Sequence, residues 1–265
     1  MANQLPEFRQ ILLTIEPPLA RIVVNRPSVL NALNSATLAE LAAAIELCAG
    51  DDTVRVLLLS GAGPKAFVAG ADIGELATLD EQTGAAYAAA GQRLFRRIEM
   101  LGKPVIACIH GFALGGGCEL AMACTMRLAS EEARFGQPEV KLGLVAGFGG
   151  TQRLPRLVGR GAALKLLLTG AIIPAQEALR IGLIDELIPG AELESRALAL
   201  AFSIAANAPI ALERTLDAVH RGLDLPLDRA LELEAEAFAA CSQSEDMREG
   251  TAAFLAKRPP VWRGR

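Results

Sequence analysis

Two acidic residues, Glu119 and Glu139, stand in apolar, glycine-punctuated stretches of this chain, and their carboxyl groups are of the kind that moves protons in general acid-base chemistry. The first follows Gly115-Gly116-Gly117 in the block His110-Gly111-Phe112-Ala113-Leu114-Gly115-Gly116-Gly117-Cys118-Glu119-Leu120-Ala121, where the pattern turns from strand to helix. Glycines at such a turn let backbone amides approach a ligand, and the helix start points partial positive charge at it. A developing oxyanion is the species this geometry would hold. With the helix begun at Gly116, Glu119 comes three residues later, on the same face as that amide. Its structural reading is a carboxylate stabilised by the helix dipole, worth about 0.5 kcal/mol. Glu139, in Phe135-Gly136-Gln137-Pro138-Glu139-Val140, reads when taken singly as a solvated loop charge.

Two other segments have weaker signals. In Lys65-Ala66-Phe67-Val68-Ala69-Gly70-Ala71-Asp72-Ile73, small residues after a strand would bring backbone close to a ligand, or Asp72 would simply cap a helix. Gly147-Phe148-Gly149-Gly150-Thr151-Gln152-Arg153-Leu154 adds another glycine-rich turn into a helix. The two histidines, His110 and His220, have no adjacent Ser or Cys with an orienting third residue, so nucleophilic catalysis is disfavoured. The absence of a GxxxxGK[ST] loop, an HExxH pair or a strand followed by GxGxxG disfavours phosphoryl transfer, zinc hydrolysis and nicotinamide redox chemistry.

The elements that must position these residues follow from apolar runs. At 265 residues and 52% hydrophobic content, one substantial domain with an appendage is expected. Buried strands are predicted at residues 11–15, 20–24, 54–60 and 105–109, each bounded by Pro, Gly or Asp. Helical spacing is found at 35–49, with Ser35 as the expected N-cap, and at 83–101. The alternation predicts an α/β architecture. A core over 1–195 is followed by a helical subdomain over 196–265, broken at Pro209, Gly222 and Pro226, whose alanines and leucines would bury a face against a neighbour.

The net charge of −4 argues against nucleic acid as a partner. Cys48, Cys108, Cys118, Cys124 and Cys241 show no CxxC spacing and read as free thiols, with no metal site. The start of the chain lacks a secretory pattern and no apolar window reaches a membrane span, so a cytoplasmic protein without membrane partners is expected.

In their order, these motifs resemble the enoyl-CoA hydratase/isomerase (crotonase) superfamily over essentially the full length. The resemblance rests on Asn25-Arg26-Pro27 with Leu30-Asn31-Ala32-Leu33, on Ala69-Gly70-Ala71-Asp72-Ile73, on the two glutamate blocks 139 − 119 = 20 residues apart, and on Gly149-Gly150-Thr151-Gln152-Arg153. It implies a crotonase-like spiral of β-β-α units, with a C-terminal helical region forming a trimer or a dimer of trimers. An acyl-CoA thioester would be the substrate, coenzyme A belonging to it rather than acting as a cofactor. The N–H groups of Ala71 and Gly116 would form an oxyanion hole. Lys65, Ala69, Gly70, Asp72, Ile73 and Gly147 would contact the acyl-CoA, with Phe254 and Lys257 reaching the nucleotide of an adjacent subunit.

Relatives that hydrate the double bond have both carboxyl groups, whereas many that only shift it keep one, so the resemblance favours an enoyl-CoA hydratase with Glu119 and Glu139 as acid and base. An isomerase moving a 3,4 double bond to 2,3, or a non-catalytic or RNA-binding relative, are the alternatives. Where relatives often have a lysine after Asn-Arg-Pro, this chain has Ser28, leaving Arg26 or Lys257 to meet that phosphate.

Overall fold

A computed structural model describes residues 6–265. The residues before them, part of the stretch read above as lacking a secretory pattern, lie outside the described residues. A hairpin of β1 (Ile11–Glu16) and β2 (Leu19–Val24) opens the chain and is followed by α1 (Ser35–Ala49). Three units of two strands and a helical segment come next. The first holds β3 (Val56–Gly61), β4 (Ala66–Val68), α2 (Ile73–Leu76) and α3 (Glu81–Glu99). The second holds β5 (Val105–Ile109), β6 (Phe112–Leu114) and α4 (Gly116–Ala123). The third holds β7 (Met126–Ser130), β8 (Arg134–Gly136), α5 (Gly150–Val158) and α6 (Arg160–Thr169). After β9 (Ile172–Pro174), α7 (Ala175–Arg180) and β10 (Glu186–Ile188), the chain ends in α8 (Leu193–Ala205), α9 (Pro209–Gly222), α10 (Leu227–Ser242) and α11 (Glu245–Leu255).

In each of the three units the first strand joins a six-stranded sheet ordered β1-β2-β3-β5-β7-β10 and the second joins a four-stranded sheet ordered β4-β6-β8-β9. From β2 to β10 the larger sheet is parallel. Such a sheet is covered on both faces, which is why β3 is a near-continuous apolar run rather than an alternating one. Leu57 and Leu59 pack into the main core with α1, α3 and α4. Val56 and Leu58 face the opposite way, onto α8 through Ala197, Ala201 and Ala205.

All four expected strands form, with ends shifted by up to two residues. The helix expected at 35–49 is α1, but its cap is Asn34: the extended backbone there lets its carboxamide oxygen accept the Thr37 N–H at 2.8 Å. The helix expected at 83–101 starts earlier, because Asp80 and Thr83 form a reciprocal capping box. The division drawn between residues 195 and 196 falls inside α8, a helix that covers the larger sheet. Helices α9 and α10 have no buried residues, and Leu223 (81% exposed), Leu227 (72%) and Phe238 (77%) lie open on this part of the chain. Among the described residues no single helix is long and apolar enough to cross a membrane, and the five cysteines are free thiols.

Candidate active site

The site is built where the smaller sheet meets the start of α4. Gly115 supplies the turn with φ +49° and ψ −124°, a conformation that side chains of L-residues resist. Gly117 supplies close approach: a Cβ there would lie 1.9 Å from the carbonyl oxygen of Val68 in β4. Helix α4 therefore presses its first turn onto backbone, and all eight of its residues are buried. The amides of that turn have no partner within the helix.

The neighbouring loop is held by Leu33, whose N–H donates to the Gly70 carbonyl at 2.8 Å and whose carbonyl accepts the Asp72 N–H at 2.7 Å. This parallel clasp uses the groups on either side of Ala71 and turns the Ala71 N–H to the other side of the strand. Both Ala71 and Gly116 line one cleft of about 410 Å³. Its walls are mostly apolar, with Leu76, Tyr87, Leu142, Val145 and Phe148 among them, and Glu119 and Glu139 both reach it.

Glu119 is 1% exposed, and its Oε1 accepts the N–H groups of Phe148 at 2.8 Å and Gly150 at 2.6 Å. Burial pushes its carboxyl up to about 7, the two amides pull against that, and the Glu139 carboxylate adds to the rise. Glu139 is half-buried in a short 3₁₀ turn started by Pro138, and burial raises its carboxyl too. The amide of Gln137, itself buried, is assigned with its nitrogen toward Glu139, donating to Oε1 at 2.9 Å and Oε2 at 3.1 Å. Glu139 is thus a built member of the cleft rather than the solvated loop charge it resembles in isolation.

A carboxyl pair of this kind shares protons, and its apparent values belong to the pair. With one proton between them, one member can take a proton while the other gives one. We expect a bell-shaped dependence of kcat/KM on pH. Below the lower value both groups are protonated and no base remains; above the upper both are ionised and no proton is left to give, and burial moves both values up from the usual carboxylate range. A rate flat from pH 5 to 9 would rule out this pair as the titrating groups.

Ala69, Gly70, Ile73 and Gly147 line the cleft, and Lys65 and Asp72 do not. The Asp72 carboxylate caps α2, accepting the Gly74 N–H at 3.0 Å, and pairs with Arg26 at 2.9 Å. That pairing holds its carboxyl below the usual carboxylate range. It also engages Arg26, whose other terminal nitrogen donates to the Ala32 carbonyl, so these donors hold the loop. Lys65 is exposed on the approach to β4, and Phe254 and Lys257 lie exposed at the end of α11, outside the cleft. Sequence reasoning missed Gln137, Tyr87 and the Phe148 and Gly150 amides; the glycine-rich turn into α5 was the available signal for the last two.

A spiral of β-β-α units whose cleft joins helix-start backbone amides to a buried and a half-buried carboxyl group is a crotonase fold equipped for acid-base chemistry beside a stabilised oxyanion. Comparison with known proteins agrees. A family model described as enoyl-CoA hydratase/isomerase matches residues 14–265. The chain is 48% identical over 252 residues to a short-chain-enoyl-CoA hydratase of Clostridium acetobutylicum, covering 95% of this chain and 97% of that one. It is 46% identical over 251 residues to a crotonyl-CoA hydratase of Syntrophomonas wolfei, covering 95% and 96%. The crystal structure of an enoyl-CoA hydratase from Bacillus anthracis superposes with a TM-score of 0.94 at 39% identity, covering 97% of this chain and all of that one. This chain belongs to the enoyl-CoA hydratase/isomerase family.

Proposed function

We propose that this protein hydrates short 2-enoyl-CoA thioesters such as crotonyl-CoA to 3-hydroxyacyl-CoA, and does so reversibly. The observation that carries the reading is the pair of carboxyl groups, Glu119 buried and Glu139 half-buried, sharing one apolar cleft with the Ala71 and Gly116 amides. The thioester carbonyl sits between those two N–H groups, which stabilise the enolate that forms when water adds at C3. Glu119, close to 7 and so basic enough to act at neutral pH, takes the proton from the attacking water. Glu139 delivers a proton to C2, and in the dehydration direction the two exchange duties. Coenzyme A belongs to the substrate, and the chemistry needs no resident cofactor.

Two features support the short-chain preference. The relatives at 46–48% identity are named for short-chain and crotonyl substrates. The cleft is lined by the rings of Tyr87 and Phe148, 5.1 Å apart, and the Tyr87 hydroxyl donates to the Leu33 carbonyl at 2.8 Å, which fixes bulk beside the acyl site. The open apolar faces of α9 to α11 support a homo-oligomer, a trimer or dimer of trimers, and Phe254 and Lys257, exposed on this part of the chain, are read as contacts to a neighbour's substrate. Lys65 is read as a contact to the coenzyme A portion. A cytoplasmic location in β-oxidation of fatty acids fits this reading.

The test is crotonyl-CoA hydration followed as loss of the conjugated thioester absorbance, with Glu139→Gln beside the wild type. The wild type is expected to consume the absorbance. The variant is expected to lose about 10²–10⁴-fold in kcat, the usual weight of one acid-base group, with KM changed little. Unchanged absorbance with crotonyl-CoA, together with conversion of a 3-enoyl-CoA to the conjugated isomer, would instead identify an isomerase.

A further inference from the structure

Behind Glu119 lies an ion pair, largely enclosed, whose members do not line the cleft. Glu99 ends α3 and Arg153 lies in the first turns of α5; Arg153 Nε meets Glu99 Oε1 at 2.6 Å and Nη2 meets Oε2 at 2.9 Å. Both side chains are about 15% exposed or less. The remaining terminal nitrogen of Arg153, Nη1, donates to the Phe148 carbonyl at 2.8 Å. The N–H of that same residue donates to Glu119 Oε1. A continuous run of polar contacts thus leads from Glu99 through Arg153 and the Phe148 backbone to Glu119.

Burying such a pair is not explained by stability, since replacing an enclosed ion pair with apolar side chains of similar volume is often neutral or stabilising. What apolar side chains cannot do is donate to the Phe148 carbonyl. Bidentate pairing fixes the guanidinium plane, and so fixes where its third donor points.

We propose that Glu99 and Arg153 are positioning residues for hydration: together they hold the Phe148 to Gly150 turn, and through its amides set the orientation and basicity of the Glu119 carboxylate. This rests on the reading of Glu119 as an acid-base group. The charged and titratable groups bearing on Glu119 are Glu139 from the 3₁₀ turn, Arg153 from α5, Cys118 beside it in α4 and Tyr87 from α3. Those bearing on the Glu99 and Arg153 pair are Arg96 on α3, Cys124 after α4 and His220 on α9. Arg153 is the cation among them that meets both the turn and the field at Glu119, so its loss should move the glutamate pair toward holding protons longer.

The experiment measures crotonyl-CoA hydration against pH for Arg153→Met, Arg153→Lys and the double variant Glu99→Met/Arg153→Met, with Glu119→Gln alongside and thermal unfolding recorded for each. Arg153→Met is expected to lose roughly 10- to 100-fold in kcat, as misplaced catalytic groups do, with KM little changed. Its kcat/KM profile should lie at higher pH. Arg153→Lys should return the profile to its wild-type position and recover part of the rate, since lysine restores charge without the fork. The double variant should unfold near the wild-type temperature yet stay slow, which separates positioning from folding. Wild-type kcat with an unshifted pH profile in any folded variant lacking Arg153, or full rate in the double variant, would overturn the proposal. If Glu119→Gln is slow while Arg153→Met is fast, this inference alone fails; if Glu119→Gln turns over normally, the underlying reading fails with it.

Discussion

Glu119→Gln is expected to lower kcat for crotonyl-CoA hydration by about 10²–10⁴-fold while changing KM little. The substitution is nearly isosteric, and the carboxamide oxygen can still accept the Phe148 and Gly150 N–H groups that now reach Oε1 at 2.8 and 2.6 Å. What it cannot do is take up the proton of water. Steady-state kinetics with circular dichroism and thermal unfolding test this; near-normal turnover in the folded variant would remove Glu119 from the mechanism.

The same substitution has a stability effect that depends on pH. Burial first of all raises the Glu119 carboxyl from 4.5 to about 7, so between those values the folded protein binds the proton more tightly than the unfolded chain. The favourable contribution of that proton is complete below the unfolded value and is lost as pH rises through the folded one, a change of roughly 3 kcal/mol. Glutamine does not titrate. The stability of Glu119→Gln relative to the wild type should therefore increase from pH 5 to pH 9 by up to about that amount. Denaturant unfolding at the two pH values reads the difference, and a constant difference would mean that the carboxyl is not dehydrated in the fold.

Gly117→Ala is expected to be the most damaging single methyl group in the site. Its Cβ would lie 1.9 Å from the Val68 oxygen and 2.7 Å from the Val68 carbonyl carbon, both backbone atoms of a buried strand that no rotamer change can move aside. Helix α4 would have to retreat from β4 by an ångström or more, displacing the Gly116 amide and Glu119 together. A loss of about 3 kcal/mol or more follows for overpacking of this kind, with a further 10²-fold or so in kcat from misplaced groups. Gly161 gives the contrast: it lies in α6, where an added methyl group would meet nothing within 4 Å, so Gly161→Ala should stabilise by about 0.5 to 1 kcal/mol through helix propensity and unfolded-state entropy. Equal melting temperatures for the two variants would show that the packing of α4 on β4 is not the constraint.

Much of this was legible in the amino-acid order. The apolar runs of β3 and β5 announce strands buried on both faces, because a parallel sheet covered by helices has no solvent side to mark with polar residues. The three glycines before Glu119 announce a tight turn into a helix, and helical spacing located α1 and α3 to within a few residues. Periodicity has no grip on β4, β6, β8 and β9, each three residues long, although the segments that follow β4, β6 and β8 line the cleft. Nor could it tell that α8 belongs with the larger sheet, since an alanine face packs as readily on a neighbouring subunit as on its own core.

The sequence by itself determined which groups could do chemistry here: two carboxyl groups, the glycines that free amides to act, and the order of the elements that bear them. Only the tertiary structure decided what those groups are. The carboxylate of Glu119 meets amides 29 and 31 residues away, Arg26 is diverted to Asp72 46 residues on, and Arg153 is pinned by Glu99 across 54. Proton affinity and donor direction are properties of surroundings assembled from distant parts of the chain, and local spacing holds no record of which distant atoms will displace the water.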